Sequence, residues 1–168
     1  MGMLATVINA ICLKDALLRA GIGASVMTAV PMSPFATPFS REAAVSALES
    51  GKVVIFGAGL GIPFLSTDTT GAVRAAEIGA DAMLMAKNID YIYTDDPRKN
   101  PDAKLIDTVT VIDEHIISLG GGKGSALGTG GMATKLTAAK IATFSGADMV
   151  IANSKDVNII FHNEQRLI

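Results

Sequence analysis

The chain is predicted to be an α/β protein with a mainly parallel sheet covered by helices, and three observations carry that expectation. Short apolar runs rich in Val, Ile and Met alternate with segments whose apolar residues recur at helical spacing. Nearly every run is bounded by glycine, proline or a hydroxyl residue suited to a turn or a helix cap. Three polar or glycine-rich loops, 57–68, 87–97 and 120–135, follow strand-like runs, and ligands on parallel sheets gather beyond the C-terminal strand ends. A length of 168 residues suits one domain and falls short of two ordinary ones. Hydrophobic residues make up 49% and charged residues 18%, enough to bury a core. With no Trp and 5% aromatics, that core must rest on Ala, Val, Ile, Leu and Met.

Taken in order, residues 4–19 read as a helix, with Lys14, Asp15 and Arg19 on its polar side and Gly21 and Gly23 stopping it. Ser25–Val30 reads as a strand, and Pro31, Pro34 and Pro38 make the next stretch a loop. Ser40 is placed to accept from the free first-turn amides of a helix running to about Glu49. Lys52–Phe56 is a buried-strand run leading into Gly57, Gly59 and Gly61. A helix from about Asp68 to Ile78 and a strand Ala82–Ala86 follow. A short strand near Leu105 precedes a helix opened by Thr110, whose spacing to Asp113 fits a capping box only loosely. The last unit is the glycine-rich stretch 120–131, a helix to Ser145, a Gly146 cap and a strand Asp148–Ala152.

Charge and cysteine content exclude several classes. Fourteen Lys plus Arg against sixteen Asp plus Glu give −2, with no electrostatic footprint for nucleic acid or an anionic membrane. The lone Cys12, in an apolar helical pattern, reads as a buried thiol and rules out an internal disulfide framework. Two histidines, His115 and His162, are too few for a His-rich metal centre, and no separate acidic metal cluster stands out. No apolar run reaches the roughly 18–20 residues of a membrane span, and no signal-peptide pattern opens the chain. The expected location is cytoplasmic.

Each of the three loops has a functional and a bland reading. Glycines at 57, 59 and 61 let backbone amides approach a ligand, and the following helix start favours an anion. Ser66, Thr67, Thr69 and Thr70 add hydroxyls there. Ile62 breaks the dinucleotide fingerprint, and a plain tight turn with a capped helix stays open. The stretch 120–131 holds seven glycines in twelve residues, with Lys123, Thr129 and Lys135 nearby. A run of amides with a cation suits phosphate, although the Walker spacing is absent and a flexible linker is the alternative. In 87–100, Tyr93 is suited to stack on a base and Asp96 to accept from a nucleoside. Yet Asp95, Asp96 and Pro97 also make an ordinary turn, and Tyr91 and Tyr93 share a face at strand spacing.

Met1–Asn9, Val53–Gly59, Pro63–Thr69 and Ala75–Asp81 together resemble the amino acid kinase superfamily, and over residues 1–102 its bacterial uridylate kinases. Tyr93–Ile106 suits either uridylate kinases or glutamate 5-kinases, whereas Gly124–Leu136 looks like the nucleotide loop of the latter. The resemblance implies a three-layer α/β/α sandwich forming one partial domain over 1–168, with an acceptor-side half at 1–80 and a nucleotide-binding half at 81–168. It implies transfer of the ATP γ-phosphoryl group with Mg2+, most simply ATP plus UMP giving ADP plus UDP. The alternatives are γ-glutamyl phosphate formation and a nucleotide-binding module without turnover.

By the same resemblance UMP is surrounded by Leu60, Gly61, Ile62, Pro63, Phe64, Leu65, Ser66 and Thr67. Asp68 lies near the magnesium–phosphate centre, and Lys135 offsets charge on the transferring group. ATP is contacted by Asn88, Tyr93, Asp96, Thr129, Gly130, Gly131 and Lys135. Leu60 and Ile62 replace polar residues of some uridylate kinases, but 57–70 holds no Lys or Arg for the carboxylates of glutamate, which favours UMP. Met1 aligns inside the family's domain. The first strand, a catalytic lysine, phosphate-binding glycine loops and a UMP-binding Asp are therefore expected to be absent, and turnover by this chain alone to be impaired. Homo-oligomerisation as a hexamer, with GTP and UTP as effectors, is the further expectation from resemblance.

Overall fold

The computed structural model describes residues 1–87, 92–95, 100–119, 132–155 and 158. The chain divides into two compact units, Met1–Leu65 and Ser66–Ile168.

In the first unit, α1 (Gly2–Arg19) is followed by β1 (Ala24–Thr28), β2 (Thr37–Pro38), α2 (Arg41–Glu49) and β3 (Val53–Gly57). The strands form one parallel sheet in the order β2-β1-β3, with Ala24 opposite Val53 and Thr28 opposite Gly57. Ser40 caps α2 as its hydroxyl chemistry requires: its Oγ accepts from the Ala43 amide at 3.1 Å. Helix α1 packs on β1 and β3 through Val7 and Ala10. It comes so close that a Cβ on Gly57 would sit 3.3 Å from the Val7 side chain.

Two expectations for α1 are corrected. Cys12 is exposed, and Lys14 is on the half-buried side, where it lines a hollow of about 420 Å³ with Ser25, Ser33 and Thr37. The reason is that α1 is apolar almost all round: Leu4, Ile8, Leu13 and Leu18 are all exposed large side chains. Periodicity cannot pick the inner face of such a helix.

The second unit runs α3 (Thr67–Ile78), β4 (Ala82–Lys87), β5 (Ile92–Tyr93), β6 (Leu105–Ile106), α4 (Glu114–Leu119), α5 (Met132–Phe144) and β7 (Asp148–Asn153). Strands β4 and β7 pair in parallel from Ala82–Asp148 to Lys87–Asn153, and β5 and β6 pair antiparallel. Helix α3 ends at Gly79, whose φ of 70° is the left-handed cap that a side chain would resist. The residue that opens α4 is Asp113, not Thr110. The Asp113 carboxylate accepts from the Ile116 amide at 2.9 Å, and the helix begins at the very next residue.

The core of this unit is small-residue packing: Ala72, Ala138 and Ala142 are wholly buried with Ala147 and Met85, flanked by Met83, Ile141, Met149 and Ile151. Alanines at the contact let α3 and α5 approach closely, and the four flanking side chains fill the space toward β4 and β7. All pairing among the described strands is parallel except β5–β6, and helices cover the strands, as the α/β class requires.

Candidate active site

The α3–α5 packing places two charges on each other. Asp68 lies one turn before Ala72 on α3, and Lys135 one turn before Ala138 on α5, so the faces that share the alanine core also bring these side chains together. Asp68 Oδ2 receives Lys135 Nζ at 3.3 Å and the Thr134 hydroxyl at 3.4 Å. Its other oxygen lies 2.6 Å from Nζ of Lys87, the last residue of β4. The carboxylate is 1% exposed, Lys135 8% and Lys87 29%, so one anion holds an enclosed cation and a half-open one.

Burial alone would push the Asp68 carboxyl up. Contact with the Lys87 and Lys135 ammonium groups outweighs that and holds it below the ordinary carboxylate value. The backbone around it is pinned by hydroxyls. Ser66 Oγ accepts from the Thr69 amide at 3.0 Å and lies 2.9 Å from Thr69 Oγ1, while Thr70 Oγ1 donates to the Ser66 carbonyl at 3.0 Å. Asp68 therefore stands in a well-capped first turn, where the helix dipole also favours its negative charge.

Of the residues expected to act, Asp68 and Lys135 are thus in contact. Ser66 is buried with its hydroxyl committed to the cap, and Thr67 is exposed. Within the first unit, Leu60 and Gly61 are half-buried and Pro63 is exposed. Ile62, Phe64 and Leu65 present 57%, 102% and 43% of their surface. Phe64 has a φ of 66°, an uncommon conformation for an aromatic residue. Tyr93 is half-buried opposite Leu105. Asn88, Asp96, Thr129, Gly130 and Gly131 lie outside the described residues.

Two residues at the site escaped the sequence reading, Lys87 and Thr134. A cation directly after an apolar strand run, where a parallel sheet collects ligands, was the available signal for Lys87. Thr134 has only its adjacency to Lys135.

Magnesium, which the resemblance implies, does not fit this donor set. Among the described residues no three His, Cys, Asp or Glu side chains gather, and both Asp68 oxygens face ammonium groups that would repel a metal ion. The charge neutralisation offered by these residues is that of the lysines themselves.

The profile of the amino acid kinase family matches residues 1–153. The chain belongs to that family. Uridylate kinase from Mycobacterium sp. (strain KMS) is 54% identical over 119 residues, covering 69% of this chain and 47% of the relative. Uridylate kinase from Deinococcus radiodurans is 53% identical over 114 residues, covering 67% and 46%. Among solved structures, UMP kinase from Ureaplasma parvum superposes with a TM-score of 0.80 at 28% identity, over 99% of this chain and 66% of that one. UMP kinase from Bacillus anthracis gives 0.75 at 27% identity, over 97% and 62%. The α/β fold is therefore that of the amino acid kinases. The chain spans about half the length of the curated relatives it matches. Among the described residues no helix is long and apolar enough to cross a membrane.

Proposed function

We propose that this chain carries the charge-neutralising centre of a nucleoside monophosphate kinase that transfers the γ-phosphoryl group of ATP to UMP. The observation that carries the reading is the buried Asp68 carboxylate joined to Lys135 and Lys87. Phosphoryl transfer asks a protein for positioning and for positive charge on the moving group, with little covalent chemistry. Asp68 supplies the positioning, because it fixes the Lys135 ammonium in a largely water-excluded place, where a fixed cation is worth far more than in water. Lys135 supplies the charge, as an ammonium held against the Asp68 carboxylate. The choice of UMP as acceptor is supported by identity of about half to uridylate kinases and by the lack of any Lys or Arg in 57–70. The exposed Ile62, Phe64 and Leu65 offer apolar surface suited to a nucleoside. ATP binding at Tyr93, Asn88, Asp96, Thr129, Gly130 and Gly131 belongs to the same proposal, as do homo-oligomerisation and a cytoplasmic location.

Calorimetric titration tests the reading. UMP and glutamate are each added to the purified chain with magnesium and a non-hydrolysable ATP analogue. Saturable heat with UMP and none with glutamate is the expected result. Heat with glutamate alone, or with neither from a chain shown to be folded, overturns the assignment of UMP.

A further inference from the structure

Among the described residues, left-handed backbone at non-glycine positions is confined to one loop. Ala58, with a φ of 63°, and Phe64, with 66°, both lie in the stretch proposed to meet the acceptor. Gly59 and Gly61, at 60° and 77°, adopt such angles without strain. An alanine does not, and a conformation of this kind persists at ligand clamps only where the surroundings over-determine it.

Ala58 is held in that way. It is 1% exposed, and its amide donates to Thr6 Oγ1 of α1 at 2.9 Å, across 52 positions of sequence. The Thr6 hydroxyl has one proton, which it gives to the Met3 carbonyl at 2.6 Å, so a lone pair is left to face the Ala58 amide. The next residue, Val7, is the one that presses on Gly57, so consecutive residues of α1 grip the two positions at which β3 turns into the loop. Gly61 closes the bend from the other end. Its amide donates to the Ala58 carbonyl at 3.1 Å, and a Cβ there would lie 3.3 Å from the Ala29 carbonyl oxygen. The bend at Ala58 is therefore imposed by α1 and not chosen by its own residue type.

We propose that Thr6 is a positioning residue for phosphoryl transfer, which holds Ala58 in the left-handed bend and so sets where Leu60, Ile62 and Phe64 stand to receive the acceptor. This rests on the phosphoryl-transfer reading of the chain but not on the identity of the acceptor. Thr6 acts through Ala58, and no bond is made or broken at it.

Calorimetry on wild type, Thr6→Val and Thr6→Ser, with magnesium and a non-hydrolysable ATP analogue, tests the role. Thr6→Val keeps the shape of the side chain and removes its hydroxyl. It should bind UMP about tenfold more weakly, because losing one ordinary hydrogen bond lowers the fraction of chains whose loop is already bent by about that factor. Thr6→Ser keeps the hydroxyl and should recover most of the affinity, and the ATP analogue alone should bind all three chains equally. Amide hydrogen exchange reads the loop without any ligand. Ala58 should exchange about tenfold faster in Thr6→Val than in the other two chains, while the amides of β4 and β7 keep their rates and report an intact fold. Equal UMP affinity in Thr6→Val and wild type, a Thr6→Ser chain as weak as Thr6→Val, or an Ala58 amide that exchanges alike in all three overturns the proposal. So does a loss of ATP-analogue binding as large as the loss of UMP binding, the mark of a fold merely weakened. A wild type that takes glutamate and not UMP, with the Thr6→Val loss then read on glutamate, leaves it standing and overturns the UMP assignment alone. No binding of either acceptor to the folded wild type overturns both.

Discussion

Helix α1 and the α3–α5 pair bury opposite kinds of residue. On α1, Val7 and Ala10 go inward while Leu4, Ile8, Leu13 and Leu18 stay at the surface. Between α3 and α5 the reverse holds: three alanines are wholly buried, and Asp68 and Lys135 are buried with them, while Arg74 of α3 is also buried. Mean hydropathy is higher for α1 than for α3, yet the alanine face of α3 is the one that closes tightly. Small side chains permit backbone approach, and a charge can follow them inside when a partner of opposite sign is waiting. For Arg74 that partner is Glu77, one turn on.

The sharpest way to break the contrast is to remove the shared anion. Asp68→Ala leaves Lys135 enclosed without its carboxylate and should cost about 3 kcal/mol in urea unfolding, the lower end for a broken buried pair because Lys87 can turn to water.

Acid provides a gentler version. The folded-state pKa of Asp68 is depressed, so its contribution to stability is present above the unfolded carboxylate value, about 3.9, and is lost as pH falls through the folded value. Between about pH 5 and pH 2 the stability of wild type should therefore fall more steeply than that of Asp68→Asn. Parallel curves in chemical denaturation would show that the ion pairs do not stabilise the fold.

Overfilling the alanine face should come next. Ala138→Leu has no space between α3 and α5 and should destabilise by about 1–3 kcal/mol. The smallest effect belongs to α1, where Ile8→Ser should change stability by no more than about 0.5 kcal/mol. A loss there as large as at Ala138 would mean that the outer face of α1 is covered in solution.

These contrasts also explain which features the sequence made legible. Helix boundaries were readable where one residue has one job: Ser40 as a hydroxyl acceptor, Gly79 and Gly146 as glycines with positive φ at helix ends. Strand runs such as Val53–Phe56 were readable because little but a sheet suits them. The inner face of α1 was not, since apolar residues on every side carry no directional information, and Cys12 and Lys14 were misplaced for that reason. At the site, Asp68 and Lys135 came from family resemblance rather than spacing, for they are 67 positions apart in the chain. Lys87 belongs to neither helix and reaches the carboxylate only because β4 pairs with β7 in one register.

That last dependence gives the ion cluster a role in assembly. Side chains along β4 alternate between faces, so a slip of one residue against β7 would carry Lys87 to the far side and offer Asp68 the methyl group of Ala86 instead. A misaligned β4 would leave the carboxylate short of a cation in a place where water cannot compensate. The cluster therefore penalises the wrong alignment of a two-stranded ladder whose own backbone bonds discriminate poorly between neighbouring registers. Correct threading of the strand and completion of the charge centre are the same event.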